Sequence, residues 1–169
     1  IGTYTKIEGF AFLPITSFMM ALTTFVSQNR GAKEYERARK GARFGLVCSV
    51  SLAETIGLLI ALFVTPLMRL FVDDPQVIQY GVERAHYATI LFFMLAYSHG
   101  VSAVLRGVGK SVVPMVVMLV CWCLVRVTLL TMLNMLFHNI LFVYLIYPFT
   151  WSLSSIVFFL YYRKINWQE

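Results

Sequence analysis

The chain has 169 residues, of which 59% are hydrophobic and 13% are charged, and its net charge is +6. Soluble domains carry about 25% charged residues, so the composition excludes an ordinary soluble domain and predicts a membrane protein. The positive charge could indicate nucleic-acid binding, but most basic residues lie in short segments between long apolar ones. An excess of Lys and Arg in short cytoplasmic loops explains this charge, so we expect no nucleic acid among the partners.

Five stretches are long enough to cross a membrane as helices, which takes about 20 mostly apolar residues. In chain order they cover residues 8–28, 42–70, 85–105, 112–137 and 140–162. We therefore predict an all-α fold, a polytopic membrane helix bundle with five transmembrane helices. Pro14 and Pro148 should bend the first and the fifth helix, and His138 and Asn139 should form a tight turn between the last two.

The segment between the first two spans, residues 25–41, is the most strongly charged part of the chain. Its basic residues are Arg30, Lys33, Arg37, Arg39 and Lys40. Gly31 allows the chain to leave a helix, and residues 32–40 contain good helix formers. We predict that the first helix ends near Gly31, that a tight turn follows, and that residues 32–40 form a short amphipathic segment on the membrane surface.

The distribution of Lys and Arg predicts the orientation of the chain. Ten of these residues lie in the loop after the first span, in the loop after the third span, or in the C-terminal tail. Three, Lys6, Arg69 and Arg84, lie at the opposite ends of the spans, and Arg126 lies within one. Because basic short loops stay in the cytoplasm, we predict a multi-pass protein of the cytoplasmic membrane, with its N-terminus outside and its C-terminus in the cytoplasm.

The sequence contains no pattern typical of an enzyme. It has no Ser-His-Asp grouping and no cluster of metal-ligating residues, and residues 107–110 are too short for a phosphate-binding P-loop. The three cysteines, Cys48, Cys121 and Cys123, lie in apolar stretches without metal-type partners. We therefore expect free buried thiols.

Two charged residues within the spans are candidates for ion coupling. A charged side chain at mid-membrane costs roughly 2.5 to 3.5 kcal/mol on insertion scales, so Glu54 and Arg126 each require an explanation. Glu54 is either a proton or cation site, or a structural partner of another buried charge. The depths of the two residues along their helices differ by about 6 Å, so we predict that both face the interior and pair directly or through water.

Further polar residues within the spans are candidates for a relay or a substrate cavity. His99 could relay protons, or simply bond a neighbouring serine or carbonyl. Trp122 could stack on a cationic compound, or pack against lipid or the core. The remaining cavity candidates are the polar stripe Thr16, Thr23 and Ser27 beside Pro14, together with Ser98 on the third span. A stripe of hydroxyls either lines a cavity or bonds its own helix.

Two loop motifs, about 78 residues apart, carry a resemblance to a known family. The first motif consists of Gln28, Asn29, Gly31, Ala32 and Arg37, and the second of Leu105, Arg106, Gly107 and Gly109. At this spacing between apolar spans, the chain resembles the multidrug and toxic-compound extrusion (MATE) family. The segment from Phe71 to Asp73, Asp74 and Pro75 also resembles an outer loop of that family.

The resemblance implies one lobe of a two-lobe secondary transporter with six helices in each lobe. The chain is similar to helices eight to twelve, so we expect the N-terminal lobe and the first helix of this lobe to be absent from it. The implied function is export of amphipathic, often cationic compounds in exchange for Na⁺ or H⁺, with no other cofactor. The implied partners are the bilayer, the N-terminal lobe and the small substrates. One branch of the family has an acidic ion ligand in the helix before the second motif, where this chain has Leu95.

Two other functions compete with a drug antiporter. Flippases for lipid-linked sugars share the two-lobe architecture, and a small membrane scaffold would act through helix contacts alone. A basic central cavity favours the flippase, whereas a hydrophobic and acidic cavity favours the antiporter. Arg126 favours the first and Glu54 the second, so the loop motifs decide in favour of the antiporter.

Overall fold

The computed structural model describes residues 2–137 and 140–167, and every regular element in them is helical. The elements are α1 Gly2–Gly31, α2 Tyr35–Arg69, α3 Pro75–Thr89, α4 Phe92–Gly107, α5 Val112–Met118, a π-helical segment Leu119–Val125, α6 Arg126–Phe137 and α7 Ile140–Arg163. The predicted all-α fold is confirmed. The turn predicted at His138 and Asn139 lies outside the described residues.

The helices support a polytopic membrane bundle. Four described segments are long and apolar enough to cross a membrane, namely Glu8–Gly31, Tyr35–Arg69, Val112–Leu133 and Val143–Arg163. Helices α3 and α4 pass the same test jointly, although they are bent by 57° at the break between them. The bundle therefore has four spans, or five if the bent pair counts as one.

The third predicted span, residues 85–105, is not one continuous helix. Helix α3 begins earlier, directly after Asp74, whose side chain accepts a hydrogen bond from the Gln76 amide at 2.9 Å. This contact caps the helix start. The chain then bends at Ile90 and Leu91 before α4 begins. Hydropathy does not reveal the bend, because both sides of it are apolar.

Glu54 of α2 stabilises this bend. Its carboxylate accepts a hydrogen bond from the Phe93 backbone amide at 3.1 Å. Phe93 lies in the first turn of α4, where backbone amides have no acceptor within the helix, and a negative charge is favourable at that end. The acidic residue in the second span therefore satisfies a helix start that the bend creates.

The turn between α1 and α2 is short. The amides of Ala32, Lys33 and Glu34 donate to carbonyl oxygens in the last turn of α1 at 2.8 to 2.9 Å, and Lys33 has a φ of 60°. The predicted end of the first helix near Gly31 is confirmed. The predicted separate surface segment over residues 32–40 is wrong, because α2 starts at Tyr35 and continues into the span without a break.

Helices α1, α2 and α4 pack around the main apolar core, and glycines permit their close approach. A Cβ atom on Gly41 would lie 2.0 Å from the Phe25 ring, and one on Gly45 would lie 2.5 Å from a methyl group of Leu22. Small residues at helix interfaces are typical of membrane bundles, where association depends on close packing. The glycines of α2 therefore fix its contact with α1.

The outer surface of the bundle is apolar. Met20 and Leu62 are each 74% exposed, and Met135 is 75% exposed. These side chains suit a surface that is covered by hydrocarbon. The three cysteines are free, and Cys121 is buried and Cys48 half-buried. The expected burial is wrong for Cys123, which is exposed on this surface.

Candidate functional site

Charged side chains from α1, α3 and α6 lie close together inside the bundle. They lie near the start of α1, away from its basic last turn. Arg84 of α3 forms a salt bridge with Glu8 of α1 at 3.2 Å, and the two side chains are 7% and 16% exposed. The guanidinium of Arg84 also lies 4.9 Å from the centre of the Tyr147 ring. Enclosed charges require such compensation. We name Glu8, Arg84, Arg126, Tyr147 and Thr150 the polar cluster.

Arg126, at the start of α6, extends this cluster towards α7. Its Nε and Nη2 atoms donate to the Thr150 hydroxyl at 3.1 and 2.6 Å. Its guanidinium lies 5.0 Å from the Trp122 ring centre and 4.7 Å from the Tyr147 ring centre. These distances are within the range of cation–π attraction. Tyr147 therefore contacts both arginines of the cluster.

Trp122 belongs to the π-helical segment Leu119–Val125, which ends immediately before Arg126. Such segments are rare and frequently occur at functional sites. The Trp122 indole donates to the Ser154 hydroxyl at 3.3 Å. The irregular part of the fourth span thus supplies Trp122, and Arg126 follows it directly.

An aromatic row leads from the cluster towards α4. The His99 ring lies 5.0 Å from Phe12 and 5.1 Å from Trp122, measured between ring centres. The Nδ1 atom of His99 donates to the Leu95 carbonyl oxygen at 3.2 Å. A bond of this kind to a carbonyl oxygen was the predicted alternative to a proton relay for His99.

Ser98 lies in a buried hydroxyl network between α4 and α7. Its Oγ atom is 3.0 Å from that of Ser154 and 2.8 Å from that of Ser155. Ser155 in turn donates to the Met94 carbonyl oxygen at 2.7 Å. Ser98 is fully buried, so it connects helices rather than lining an open cavity.

The cluster and the aromatic row border a cleft of about 250 Å³. Its lining residues are Glu8, Gly9, Phe12, Leu95, Trp122, Arg126, Tyr147 and Trp151. The walls are mostly aromatic and apolar, and Glu8 supplies the carboxylate, which is an arrangement suited to amphipathic ligands. No group of three or more His, Cys, Asp or Glu residues converges in the described ranges, 2–137 and 140–167.

The predicted direct pair of Glu54 and Arg126 is wrong. Within the described chain, Glu54 accepts from the Phe93 amide, whereas Arg126 donates to Thr150 and contacts two aromatic rings. The pairing rested on depth along the helices. Depth does not specify which neighbouring helix a side chain faces, and the bend before α4 supplied Glu54 with a nearer partner.

The polar stripe of α1 bonds backbone carbonyls. Thr16 donates to Leu13, Thr23 to Met19 and Ala103, and Ser27 to Thr24, over distances of 2.8 to 3.1 Å. None of the three hydroxyl residues lines the cleft described above. Thr23 is the exception to purely local bonding, because its contact with Ala103 joins α1 to α4.

The two loop motifs meet at the basic end of the bundle, which we define as the end where α1, α4 and α7 finish. Arg30 donates to the Val108 carbonyl oxygen. A Cβ atom on Gly107 would lie 2.7 Å from Cβ of Val26 and 2.9 Å from the Thr23 carbonyl oxygen. Leu105 is fully buried, and Gly109 has a φ of 79°, which favours glycine.

The remaining motif residues surround this contact. The Asn29 side chain donates to the Phe25 carbonyl oxygen at 2.8 Å. The exposed motif residues are Gln28, Gly31, Ala32, Arg37, Arg106 and Gly109. The motifs therefore shape the basic end of the bundle, away from the cleft.

Sequence reasoning missed four residues of the polar cluster, namely Glu8, Arg84, Tyr147 and Thr150. Glu8 lies at the boundary of the first predicted span, and Arg84 lies just before the third. Arg84 was counted only as a basic residue at the end of a span. The sequence offered one signal. Glu8 and Arg84 carry opposite charges and lie at span ends on the same predicted side of the membrane.

Comparison with known proteins agrees with the resemblance carried by the motifs. A sequence model of the MatE family matches residues 1–133. The chain is 30% identical over 112 residues to "Probable multidrug resistance protein NorM" of Thermotoga maritima, an alignment that covers 66% of the chain and 24% of that protein. It is 23% identical over 170 residues to "Probable multidrug resistance protein YoeA" of Bacillus subtilis, covering 99% of the chain and 36% of that protein.

The aligned regions make up about a quarter and a third of these two relatives. The family match nevertheless covers most of the chain, and the helices are those of a multi-pass membrane protein. Members of this family are transporters and not enzymes. The chain therefore belongs to the MatE family, the multidrug and toxic-compound extrusion transporters.

Proposed function

We propose that this chain forms one lobe of a cation-coupled multidrug efflux antiporter, which exports amphipathic, often cationic compounds in exchange for Na⁺ or H⁺. The observation that carries the proposal is the cleft, in which the Glu8 carboxylate lies among the rings of Phe12, Trp122 and Tyr147. The guanidinium groups of Arg84 and Arg126 already lie over the Trp122 and Tyr147 rings. An organic cation would take the place of one of them at an aromatic face, and the apolar walls would accept its hydrophobic parts. The printed names of both relatives, multidrug resistance proteins, support the same class of substrate.

Glu8 is the candidate for the coupling carboxylate. Leu95, which replaces the acid of one family branch, lines the same cleft as Glu8. Glu8 of α1 thus supplies a carboxylate to the wall of the cleft, whereas α4 supplies none. Because Arg84 pairs with this carboxylate, a proton or Na⁺ would compete with an internal salt bridge. Ion binding would then be linked to the packing of α1 against α3, with His99 and Arg126 as neighbours of the site.

Replacing Glu8 by glutamine should abolish gradient-driven efflux by the intact transporter. Glutamine keeps a hydrogen-bond acceptor for Arg84 but cannot carry the negative charge that binds H⁺ or Na⁺. The measurement is efflux of a fluorescent organic cation from proteoliposomes under an imposed Na⁺ or H⁺ gradient, divided by the amount of folded protein.

The matched control is Glu54→Gln, which removes the carboxylate at the helix bend. It should retain gradient-driven efflux and lose about 1 kcal/mol of stability, as expected for a lost helix cap. Normal efflux by Glu8→Gln would refute the role of Glu8. Loss of coupling only in Glu54→Gln would assign that role to Glu54.

A flippase for lipid-linked sugars is the second candidate, because Arg84 and Arg126 adjoin the cleft. Arg126 bonds a hydroxyl group, and a guanidinium can also bind the phosphate of such a substrate. The same proteoliposomes distinguish the two functions if polyprenyl-diphosphate sugar is supplied in place of the cation. Translocation of that lipid without cation efflux would favour the flippase, and neither activity would favour a non-transporting scaffold.

We further propose that the chain lies in the cytoplasmic membrane, with its N-terminus outside and its C-terminus in the cytoplasm, and that an N-terminal lobe is its partner. The support is the position of the basic residues. Arg30, Arg39, Arg43 and Arg163 come together at the basic end of the bundle, as expected for the cytoplasmic side.

Single cysteines should test this orientation, in a background where Cys48, Cys121 and Cys123 are replaced by alanine. Cysteines at Glu36 and Lys110 should react with a membrane-impermeant thiol reagent only from the cytoplasmic side. A cysteine at Gln76 should react only from outside, because it lies on the opposite side of the second span. Labelling of Glu36→Cys in intact cells would overturn the orientation.

A further inference from the structure

A basic pocket of about 320 Å³ lies where α2 begins and α7 ends. Its lining residues are Arg39, Arg43, Tyr162, Arg163, Ile165 and Trp167. Arg39 and Arg43 are four residues apart on α2, so their side chains lie on one face of the helix. No acidic residue is among those that line this pocket. The pocket therefore concentrates positive charge that its own walls do not neutralise.

The walls of this pocket are held by the fold. After α7 the chain turns back, and Ile165 packs into the main apolar core. The rings of Tyr162 and Trp167 contact each other nearly at right angles, with their centres 6.3 Å apart. The Tyr162 hydroxyl is enclosed beside the Arg43 guanidinium. Tyr162 therefore helps to hold Arg43 at the wall of the pocket.

The pocket opens at the boundary between the basic end and the lipid-facing surface. Phe159, one turn before Arg163, is 49% exposed, and its ring lies 5.8 Å from the Arg163 guanidinium. Tyr and Trp are typical of this level of a membrane protein. A ligand in the pocket would therefore have basic groups on one side and apolar side chains on the other.

We propose that this pocket binds the phosphate group of an anionic phospholipid. Guanidinium groups bind phosphate through paired hydrogen bonds, and basic pockets between membrane helices are typical headgroup sites. A free phosphate would satisfy the arginines but would leave the adjacent apolar surface uncovered. The acyl chains of a lipid would cover the exposed Phe159 ring beside Arg163, so a membrane lipid fits both halves of the site.

The test compares two neighbouring charges at the end of α7. Arg163 lines the pocket, whereas Lys164 is exposed and does not. Native mass spectrometry of the protein in detergent should give a phosphatidylglycerol affinity that falls about fivefold in Arg163→Gln, and about fivefold again in Arg43→Gln/Arg163→Gln. Lys164→Gln should change the affinity less than about twofold. Phosphatidylcholine should bind the wild type more weakly than phosphatidylglycerol does, because its choline group offsets the charge of its phosphate.

The wild type should bind phosphatidylglycerol more tightly than either glycerophosphoglycerol or inorganic phosphate, because only the lipid has acyl chains. Equal binding of inorganic phosphate would overturn the lipid assignment in favour of a free anion. If Lys164→Gln lowered the affinity as much as Arg163→Gln does, the lipid would be attracted by the surface charge in general. That result would overturn the assignment of binding to the pocket. If the Arg43 or Arg163 variant fails to fold, Arg39→Gln still decides the question, because Arg39 is exposed and lines the same pocket. Unchanged phosphatidylglycerol affinity in that variant would also count against the proposal.

Discussion

Arg84→Ala should lower the free energy of unfolding by about 3 to 5 kcal/mol, because it leaves the Glu8 carboxylate enclosed without its charged partner. The side chains of this pair are 7% and 16% exposed, so water compensates little for the loss. Glu8→Ala should have a similar effect, since it removes the carboxylate that compensates the charge of the enclosed Arg84 guanidinium. Denaturant-induced unfolding in mixed micelles measures both.

The double variant Glu8→Leu/Arg84→Met should recover part of the lost stability, because it removes both charges and keeps apolar volume. The matched control is Lys40→Ala, which breaks the Glu36–Lys40 pair, whose side chains are 81% and 76% exposed. That change should cost less than about 1 kcal/mol. Equal costs for the enclosed and the exposed pair would contradict the prediction.

Gly107→Ala should lower the free energy of unfolding by about 1 to 3 kcal/mol, as overpacking does in a close-packed interface. The added Cβ would lie 2.9 Å from the Thr23 carbonyl oxygen and 2.7 Å from Cβ of Val26. The Thr23 oxygen belongs to the backbone, so relief requires a shift of α1. That shift would also strain the hydrogen bond from Thr23 to Ala103.

Gly31→Ala is the control, because Gly31 belongs to the other loop motif and a Cβ there meets nothing within 4 Å. It should change stability by no more than about 0.5 kcal/mol. Thermal unfolding of both variants in one detergent compares them directly. If both glycines tolerate alanine equally, the motif glycine of α4 does not set the contact between α1 and α4.

The number and approximate position of the helices could be predicted because hydropathy acts over whole spans. The break at Ile90 and Leu91 could not, since it lies within one apolar stretch. The role of Glu54 followed from that break, because the Phe93 amide lacks an acceptor only once α4 starts afresh. The wrong prediction of one continuous third helix therefore led to the wrong predicted partner for Glu54.

The polar cluster was hidden for a different reason. Helical spacing shows which residues share a face of one helix, but it does not show how neighbouring helices are rotated. Glu8 and Arg84 are 76 residues apart in sequence and meet only through the packing of α1 against α3. Arg126 was recognised because it lies within a span, whereas its partner Thr150 looked like any other hydroxyl residue of α7.

The bend before α4 is a point at which α3 and α4 could rotate relative to each other. Across it, the Leu91 and Met94 amides donate to Ala88 and Leu91 in short-range turns, at 3.2 and 3.1 Å. Helix α4 is anchored to α1 at the basic end through Gly107, whereas α3 carries Arg84 against Glu8. Rotation at this bend would move Arg84 and open one side of the cleft while the basic end stays closed. Access to the two faces of the membrane would then be controlled by separate parts of a single chain segment.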